Sequence, residues 1–343
     1  MSGWMKKTAL TMAAVLWVGL LAGCGAGEDK PSEPSTPSVS QSAAAENAQS
    51  SQGAAASGAE ASADDETRVV TDEFGEVTVP AHPKRIAAIY LEDYLKALGV
   101  TPIVQWYNPN WGKQDYLNLD APLFDTTGSI EALLAQSPDL IIVDGAVDRA
   151  AYDQYAKVAP TFRLPEDILQ SSEQILKTIG DVIGMPEKAE SVAAAYEAKV
   201  ADAKAKLAQA VGQETLAVIR VNVGERTIAL FGVNNRFVGS LLFDELGLTP
   251  HPMVKKMTEF QEILSEEAFS LLDADHIIVI PSNGDWQTAD NQEAFSLLDS
   301  PLWQSVPAFK NGHVYKVERS HWQSGAITAN GMKIDDLLKL MVK

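Results

Sequence analysis

A short stretch of aromatic and cationic side chains offers the clearest potential for binding chemistry in this sequence. Aromatic rings stack on flat or cationic ligand groups, and a lysine ammonium attracts an anion. Pro109 and Gly112 interrupt the stretch, so the sequence predicts a loop over residues 106–112 rather than a core helix. We interpret this loop as a binding surface; the alternative is that some of its rings only cover the edge of a folded unit. Its candidate side chains are Trp106, Tyr107, Trp111 and Lys113.

Two further candidates interrupt or follow predicted strands. Arg220 interrupts the apolar run 216–221, and a guanidinium in a buried strand must face either a cleft or an internal carboxylate. We expect Arg220 to face a cleft. Tyr90 comes directly after a predicted strand, at the carboxyl end where open α/β sheets place ligands. The alternative for Tyr90 is ordinary core packing.

The sequence contains none of the common catalytic motifs. It has no Gly-x-Ser-x-Gly elbow, no Walker loop and no His-Glu-x-x-His pair, and its single cysteine is Cys24. A carrier of free Zn²⁺ or Mn²⁺ would need about three or four clustered ligands. The histidines have no such spacing, so we expect neither catalytic nor metal-ligating residues. They are His82, His251, His276, His313 and His321.

The N-terminus has the pattern of a secretory signal. Lys6 and Lys7 precede an apolar run over 8–21, which is shorter than the roughly 20 residues that span a bilayer. The Leu-Ala-Gly-Cys tetrad that ends at Cys24 resembles the bacterial lipobox. It implies a signal peptide over 1–23 and lipidation of the cysteine, whereas a core cysteine is the alternative.

Residues 24–66 are predicted to form a disordered tether. Beyond the cysteine they contain no aromatic residue and one large aliphatic, Val39, which is too little apolar surface to offset the entropy of ordering. The remaining body of about 275 residues is large enough for one large or two medium domains. The formal net charge of −19 argues against binding to nucleic acid, whose phosphates need cationic patches.

From residue 67 onward, strands and helices alternate, which predicts an α/β fold with parallel sheets. We expect two Rossmann-like lobes with central, mostly parallel sheets, joined by one long helix. The expected boundaries are 67–185 for the N-terminal lobe, 186–211 for the linking helix and 212–343 for the C-terminal lobe. The predicted strands lie within 69–71, 77–79, 86–89, 100–105, 140–143, 215–223, 274–280 and 313–317, and the predicted helices within 93–98, 130–135, 172–183, 187–211, 237–246 and 333–342.

The two halves echo each other at one place. Segments 129–143 and 264–279 each contain a short helix with an early glutamate, Glu131 or Glu267, that leads into a buried strand. This echo indicates two related lobes.

Five motifs follow one another along the body: 79–87 (Val-Pro-Ala-His-Pro-Lys-Arg-Ile-Ala), the block from Glu131 to Ile142, 180–184 (Gly-Asp-Val-Ile-Gly), 234–237 (Asn-Asn-Arg-Phe) and 301–315. Together, from Arg68 to the C-terminus, they resemble the periplasmic-binding-protein-like solute-binding lipoproteins of ABC importers for ferric siderophores and cobalamin. The resemblance implies two α/β lobes joined by one long helix, with the ligand in the cleft between the lobes.

The resemblance also implies a ferric siderophore as ligand. Such a chelate can fill all six coordination positions of Fe³⁺ with its own oxygen donors, so the protein needs no cofactor, only cationic and aromatic side chains. Arg236 matches a family position that grips a ligand carboxylate or phenolate. Further cleft candidates, on late loops, are Trp286, His321 and Trp322. Haem or cobalamin is the alternative ligand, and a surface lipoprotein without a transport role is the other alternative. The candidate axial ligands for haem are Tyr90, Tyr107 and His321.

Partners are implied as well. Glu131 and Glu267 match two family positions, one per lobe, that meet arginines on the permease; the alternative is that they only favour the dipoles of their helices. We therefore expect an extracytoplasmic monomer that binds no nucleic acid and delivers its ligand to an ABC permease with its ATPase. The lipid anchor would hold it on the membrane, and we favour the outer face of a Gram-positive cell over a Gram-negative periplasm.

Overall fold

The computed structural model of the protein describes residues 66–222, 225, 227–269 and 271–342. The predicted signal peptide, Cys24 and all of the predicted tether except residue 66 lie outside the described residues. In the part that is described, every helix is too short or too polar to cross a membrane.

The N-terminal half contains a hairpin and two small sheets. The hairpin, β1 paired antiparallel with β2, confirms the prediction for this segment. Strands β3, β7 and β8 form a parallel sheet, and β4 lies between β5 and β6 in the other. The strands are β1 (Thr67–Asp72), β2 (Gly75–Pro80), β3 (Ile86–Ala88), β4 (Gln105–Asn108), β5 (Gly112–Lys113), β6 (Leu123–Asp125), β7 (Leu140–Val143) and β8 (Thr161–Arg163). The helices are α1 (Glu92–Ala97), α2 (Glu131–Leu134), α3 (Arg149–Tyr155) and α4 (Ser172–Val182).

A single long helix, α5 (Pro186–Ala210), follows, as the uninterrupted Ala-, Glu- and Lys-rich run predicts. Its 25 residues rise about 1.5 Å each, which gives a length of about 37 Å. Proline at the first helical position suits the helix start, because that N–H has no intrahelical partner. One stripe of α5 is buried; it consists of Ala189, Ala193, Tyr196, Ala203 and Leu207.

The C-terminal half is built on a larger, mixed sheet in the order β12-β10-β9-β13-β14, with β11 beside β9. Strands β9, β13 and β14 are parallel, whereas β10 runs antiparallel to both β9 and β12. The strands are β9 (Thr215–Asn222), β10 (Thr227–Phe231), β11 (Thr249–Pro250), β12 (Gln261–Ile263), β13 (His276–Pro281) and β14 (Val314–Lys316). The α-helices are α6 (Pro252–Lys256), α7 (Glu266–Phe269), α8 (Ala289–Ser296), α9 (Pro301–Gln304), α10 (Pro307–Asn311), α11 (Arg319–Trp322) and α12 (Ile327–Met341).

One predicted strand is displaced. The prediction placed it at 100–105, but β4 begins at Gln105, where pairing with β6 starts at Leu123. Pro102 has no N–H to donate, and the N–H of Ile103 bonds to the carbonyl of Ile86 (3.0 Å) instead of joining that ladder. The predicted loop over 106–112 was correspondingly wrong, since most of it forms the β4–β5 hairpin.

Two helices begin or end at residues other than those predicted from the sequence. The segment predicted to be helical over 237–246 narrows to a π-helical stretch, Ser240–Glu245. Helix α12 begins six residues before the predicted start at 333, because Asp93 of α1 accepts hydrogen bonds from the N–H groups of Thr328 (2.9 Å) and Ala329 (3.1 Å) and so caps the helix.

The two halves share a continuous apolar core. Its members include Ile86 and Leu95 of the N-terminal half, Leu207 of α5 and Ile278 of β13. Helix α12 packs against both α1 and α5, so the last helix of the chain also contacts the N-terminal half. The division into lobes at residue 212 therefore stays a prediction. Helix α12, which belongs to the predicted C-terminal lobe, contacts helices on the other side of that division.

Candidate ligand-binding cleft

A cleft of about 920 Å³ lies where the carboxyl ends of several strands meet. Tyr90 follows β3 and Asp144 follows β7 in the N-terminal half, while Arg220 of β9 and Ser282 after β13 face it from the C-terminal half. The carboxyl ends of parallel strands are where open α/β sheets bind ligands. Six of the residues singled out from the sequence line this cleft: Tyr90, Trp106, Trp111, Lys113, Arg220 and Arg236.

The β4–β5 hairpin supplies the aromatic wall. Trp106 packs edge-to-face on Tyr90, with ring centroids 4.8 Å apart and an interplanar angle of 66°. The side chain of Asn108 accepts a hydrogen bond from the N–H of Asn110 (2.9 Å), which fixes the turn that presents Trp111. Trp111 is 59% exposed at the cleft, so its ring is available to a ligand.

Tyr90 is held in an unusual backbone conformation. Its φ of 64° lies in the left-handed region, which is costly for a tyrosine. The phenol hydroxyl donates to the carbonyl of Gln323 (3.0 Å), so the side chain links the two halves of the chain. Burial raises the pKa of Tyr90 to about 12, although Arg236 and Arg319 act in the opposite direction. The residue is therefore a neutral phenol at neutral pH.

One cleft arginine is neutralised within the protein. Both terminal nitrogens of the Arg236 guanidinium donate to the carboxylate of Asp144, one of them (Nη1 to Oδ1) at 3.2 Å. This bidentate pair joins the segment after β10 to the end of β7 across the cleft. Such fork-to-fork pairs are the strongest ion-pair geometry in proteins.

Among the described residues, two other arginines have only neutral hydrogen-bond acceptors. Arg220 donates to the side-chain oxygen of Asn222 (2.8 Å), and Arg319 donates to the carbonyl of Ser282 (2.8 Å). Within the described part of the chain, neither guanidinium forms an ion pair with a carboxylate. Burial lowers the pKa of both residues, and the charge of Arg319 lowers the pKa of Arg220 further. Two partly desolvated cations side by side favour an anion from outside the protein.

The cleft is positively charged although the chain is acidic. Four cationic side chains, Lys113 and the three arginines, face two carboxylates, which leaves a net charge of +2 among the described lining residues. The carboxylates are Asp144 and Glu225.

The other four candidates from the sequence are not among the described residues that line the cleft: Tyr107, Trp286, His321 and Trp322. Tyr107 follows Trp106 in β4, and successive strand residues point to opposite faces, so Tyr107 does not line the cleft. Trp286 donates its indole N–H to the carbonyl of Val317 (2.9 Å) and packs on Phe295. It is therefore part of the packing around β14.

His321 and Trp322, which the sequence analysis expected in the cleft, are not among the described residues that line it. Trp322 is fully buried, and His321 is 5% exposed. Both direct a ring nitrogen at the same carboxylate oxygen of Asp336, at 2.7 Å for His321 and 2.8 Å for Trp322. Helix α12 covers them, which no local pattern in the sequence indicated.

Sequence reasoning missed Arg319 and Asp144. The dipeptide Val143–Asp144, an acidic residue directly after a buried strand, was a usable signal by the same rule that selected Tyr90. Arg319 carried no such signal, because α11 reaches the cleft only through the path of the chain after β14.

A buried carboxyl group supports the aromatic wall from behind. Glu92, which is 1% exposed, accepts a hydrogen bond from the N–H of Trp106 (2.6 Å) through Oε1. Among the described residues, the buried Oε2 has no hydrogen-bond partner. Burial raises the pKa of Glu92 to about 8, so the group is mostly protonated at neutral pH.

The two glutamates of the internal echo begin short helices. Glu131 is exposed at the start of α2, where its N–H bonds to the hydroxyl of Ser129 (3.2 Å). Glu267 lies in α7. Helix α2 precedes β7 and α7 precedes β13, so the two positions are equivalent in the two halves.

A charged, aromatic cleft between two α/β halves joined by a long helix defines a two-lobed solute-binding protein, and the predicted fold class is confirmed. The chain belongs to the periplasmic binding protein family, whose model matches residues 92–320. This is a family of solute-binding proteins and not of enzymes.

Alignments with several named relatives cover most of the chain. The iron(3+)-hydroxamate-binding protein FhuD of Bacillus subtilis is 31% identical over 264 residues, which cover 74% of this chain and 79% of that protein. The probable siderophore-binding lipoprotein YfiY of the same species is 28% identical over 295 residues, or 81% of this chain and 88% of the relative. A crystal structure of a periplasmic binding protein component of a Fep/Fec-like ferrichrome ABC transporter from Bacillus subtilis matches with a TM-score of 0.66 and 27% identity, covering 80% of this chain and 100% of that one.

Proposed function

We propose that this protein is the extracytoplasmic substrate-binding protein of an ABC importer and that it captures an anionic ferric siderophore in the cleft. The observation that carries the proposal is the pair Arg220 and Arg319, which face the cleft without an ionic partner among the described residues. The names of the relatives, which include iron(3+)-hydroxamate binding and siderophore binding, support the ligand class.

The donor set of the cleft suits a complete chelate rather than a free ion. A siderophore surrounds Fe³⁺ with its own oxygen atoms, so the protein must recognise the outer surface of the complex. Among the described residues that line the cleft, none is a histidine or cysteine. Arginine forks bind carboxylate or phenolate oxygens, and the Trp106 and Trp111 rings provide flat surfaces for the organic part. The volume of about 920 Å³ is at the upper end of the range of about 300–1,000 Å³ for small-molecule sites.

Haem is a poorer match. Of the three axial candidates, His321 is buried against Asp336 and Tyr107 does not line the cleft. Tyr90 does line it, but its hydroxyl is bonded to Gln323 and its raised pKa, about 12, disfavours the phenolate that would bind iron.

The ligand proposal is tested by fluorescence titration of the full chain, because Trp106 and Trp111 report directly on the cleft. The panel contains ferric hydroxamate, ferric catecholate, ferric citrate, haem and cobalamin. We expect one anionic ferric chelate to quench the fluorescence. Replacement of Arg220 or Arg319 by Gln should weaken its binding by roughly tenfold or more, since a hydrogen bond to a charged group contributes about 1.5–3 kcal/mol.

Two variants sharpen this test. Arg149→Gln removes an exposed arginine that pairs with Asp153 and should leave the affinity unchanged. Asp144→Asn frees Arg236 from its ion pair and should strengthen binding of the anion. Tight binding of haem or cobalamin instead would overturn the ligand, and no response to any compound would overturn the transport role.

We also propose the cellular arrangement that the sequence predicts. Cys24, after lipidation, would anchor the chain to the membrane, most simply on the outer face of a Gram-positive cell; a relative named as a lipoprotein supports the anchor. Glu131 and Glu267 would dock on the permease, one from each half of the chain. Their equivalent positions before β7 and β13 support this role.

A further inference from the structure

Three side chains meet at the edge of the C-terminal sheet that lies opposite the cleft. Glu214 directly precedes β9, His276 is the first residue of β13, and His313 directly precedes β14. Because the three strands are parallel, their amino ends lie together at one edge. Strand β13 has six residues, and at about 3.3 Å per residue this edge is roughly 20 Å from the cleft residue Ser282. Histidines that are far apart in sequence are therefore neighbours in the sheet.

The donor atoms of these side chains converge. Nε2 of His276 lies 2.6 Å from Oε2 of Glu214, and the rings of His276 and His313 stack with centroids 4.5 Å apart. One donor atom from each of the three residues lies within 4.8 Å of the others. Nδ1 of His313 is buried, and no described residue bonds to it.

We propose that Glu214, His276 and His313 form a binding site for a divalent transition-metal ion, Zn²⁺ above all, separate from the cleft. Two imidazoles and one carboxylate are a donor set that Zn²⁺ uses, with water completing a tetrahedron. Cu²⁺ and Ni²⁺ share the preference for imidazole, whereas Mg²⁺ and Ca²⁺ prefer oxygen donors alone. Glu214 is exposed, so an ion and its water can reach the site from solvent.

A modest rearrangement is required. Bonds of about 2.0–2.2 Å to a tetrahedral Zn²⁺ place donors about 3.3–3.6 Å apart, so the most distant pair must approach by up to about 1.5 Å. The planes of the two rings differ by only 6°, and stacked rings cannot both aim at one ion. One ring must therefore tilt. His313 is the ring with freedom to do so, because it is only partly buried and its Nδ1 has no hydrogen-bond partner among the described residues.

Tyr315 of β14 can hydrogen-bond to His276 in either tautomer of the ring. Its hydroxyl lies 3.1 Å from Nδ1, while the carboxylate of Glu214 requires a proton on Nε2. With a metal ion at Nε2, the ring proton moves to Nδ1 and donates to the tyrosine oxygen, the second-shell bond that orients metal-binding histidines. Burial lowers the pKa of His276 and raises the pKa of Tyr315.

The test is a calorimetric titration of the full chain with ZnCl₂ at pH 7.5, after treatment with EDTA. We expect one Zn²⁺ to bind per chain. The variants Glu214→Gln and His313→Gln should each weaken binding by more than about tenfold, because loss of even a second-shell partner costs 10–100-fold in affinity. Zn²⁺ should raise the Tm of the unaltered chain and not that of either variant.

Two controls separate this site from other ligands. His82→Gln removes an exposed histidine at the other end of the chain, and Cys24→Ser removes the single thiol. Both should bind Zn²⁺ like the unaltered chain. Thermal unfolding of each variant in EDTA, with a cooperative transition, verifies that all variants are folded without metal. Zn²⁺ binding that persists in both site variants, or that is absent from the folded unaltered chain, would overturn the proposal without bearing on the ligand of the cleft.

Discussion

Residues of one type have different roles in the cleft because their partners differ. Arg236 is paired with Asp144, whereas Arg220 and Arg319 donate, among the described residues, only to neutral oxygens. Sequence analysis selected Arg220 from its position in an apolar strand and Arg236 from the family resemblance, and it expected both to bind the ligand. The distinction depends on Asp144, 92 residues before Arg236, and such a pairing is not visible in local patterns.

Glu92 should make the stability of the protein fall as the pH rises. The folded state raises its pKa to about 8 from an ordinary 4.5, mainly through burial, so between these values the folded chain binds more protons than the unfolded chain. The contribution of Glu92 is therefore complete below about pH 4.5 and is lost as the pH approaches 8. Glu92→Gln should remove this loss, since glutamine resembles the neutral acid and keeps an acceptor for Trp106. The gap in the free energy of unfolding between variant and unaltered chain should grow by up to about 1.4 kcal/mol per pH unit within that window.

Urea unfolding at pH 5, 6, 7 and 8 measures this gap. Other groups titrate equally in both proteins, so their effects cancel in the difference. Glu197→Gln, at an exposed position of α5, serves as the control and should give a constant difference. A gap for Glu92→Gln that stays constant with pH would show that Glu92 is ionised in the folded protein.

At the scale of elements, the sequence predicted best what local physics determines. The β1–β2 hairpin, α4, α5 and the buried strands β7 and β13 follow from turn residues, helix-forming runs and apolar runs. The start of β4 did not, because its position depends on pairing with β6. The start of α12 depends on a cap from Asp93, 235 residues away from Thr328. Elements whose limits are set by distant partners are the ones that the sequence misplaced.

The contact of α4 with α5 should tolerate no side chain at Gly180. A Cβ there would collide with the Cβ of Ala189 and lie 3.3 Å from the carbonyl of Met185. Gly180→Ala should therefore lower the free energy of unfolding by about 1–3 kcal/mol, despite the better helix propensity of alanine. Gly331→Ala in α12 is the matched control, because its Cβ would meet only Nζ of Lys199, at 3.9 Å.

The control should stabilise the chain by up to about 1 kcal/mol, the difference in helix propensity. Thermal and urea unfolding of both variants provide the comparison. Equal effects of the two substitutions would mean that α4 and α5 are not packed as closely as this structure describes.

At the scale of the whole molecule, the charge of the cleft has the opposite sign to the net charge of the chain. The chain has a formal net charge of −19, yet the described wall of the cleft has a net charge of +2. An anion is therefore repelled by most of the surface and attracted at one place, which favours specificity. The shared core and α12 couple the two halves around this cleft, so a ligand bound there would contact both halves at once.

The proposed docking through Glu131 and Glu267 belongs to the scale of the whole molecule, because it would require one contact from each half. We expect Glu131→Ala and Glu267→Ala each to slow the uptake of iron into cells by about fivefold, which corresponds to about 1 kcal/mol, the value of an exposed ion pair. The double variant should be slower than either. None of the variants should alter the affinity for the ferric chelate, since Glu131 is not among the described residues that line the cleft, and α7, which contains Glu267, precedes β13 at its amino end.

Uptake of ⁵⁵Fe, measured at matched protein levels together with the affinity of each purified variant, separates delivery from capture. Glu197→Ala, which removes an exposed glutamate of α5 outside the proposed docking face, should leave both unchanged. If both docking variants transport at the normal rate, the glutamates only stabilise their short helices through the helix dipole. If a single one slows transport, delivery depends on one half of the molecule, and the equivalence of the two positions reflects the repeated fold alone.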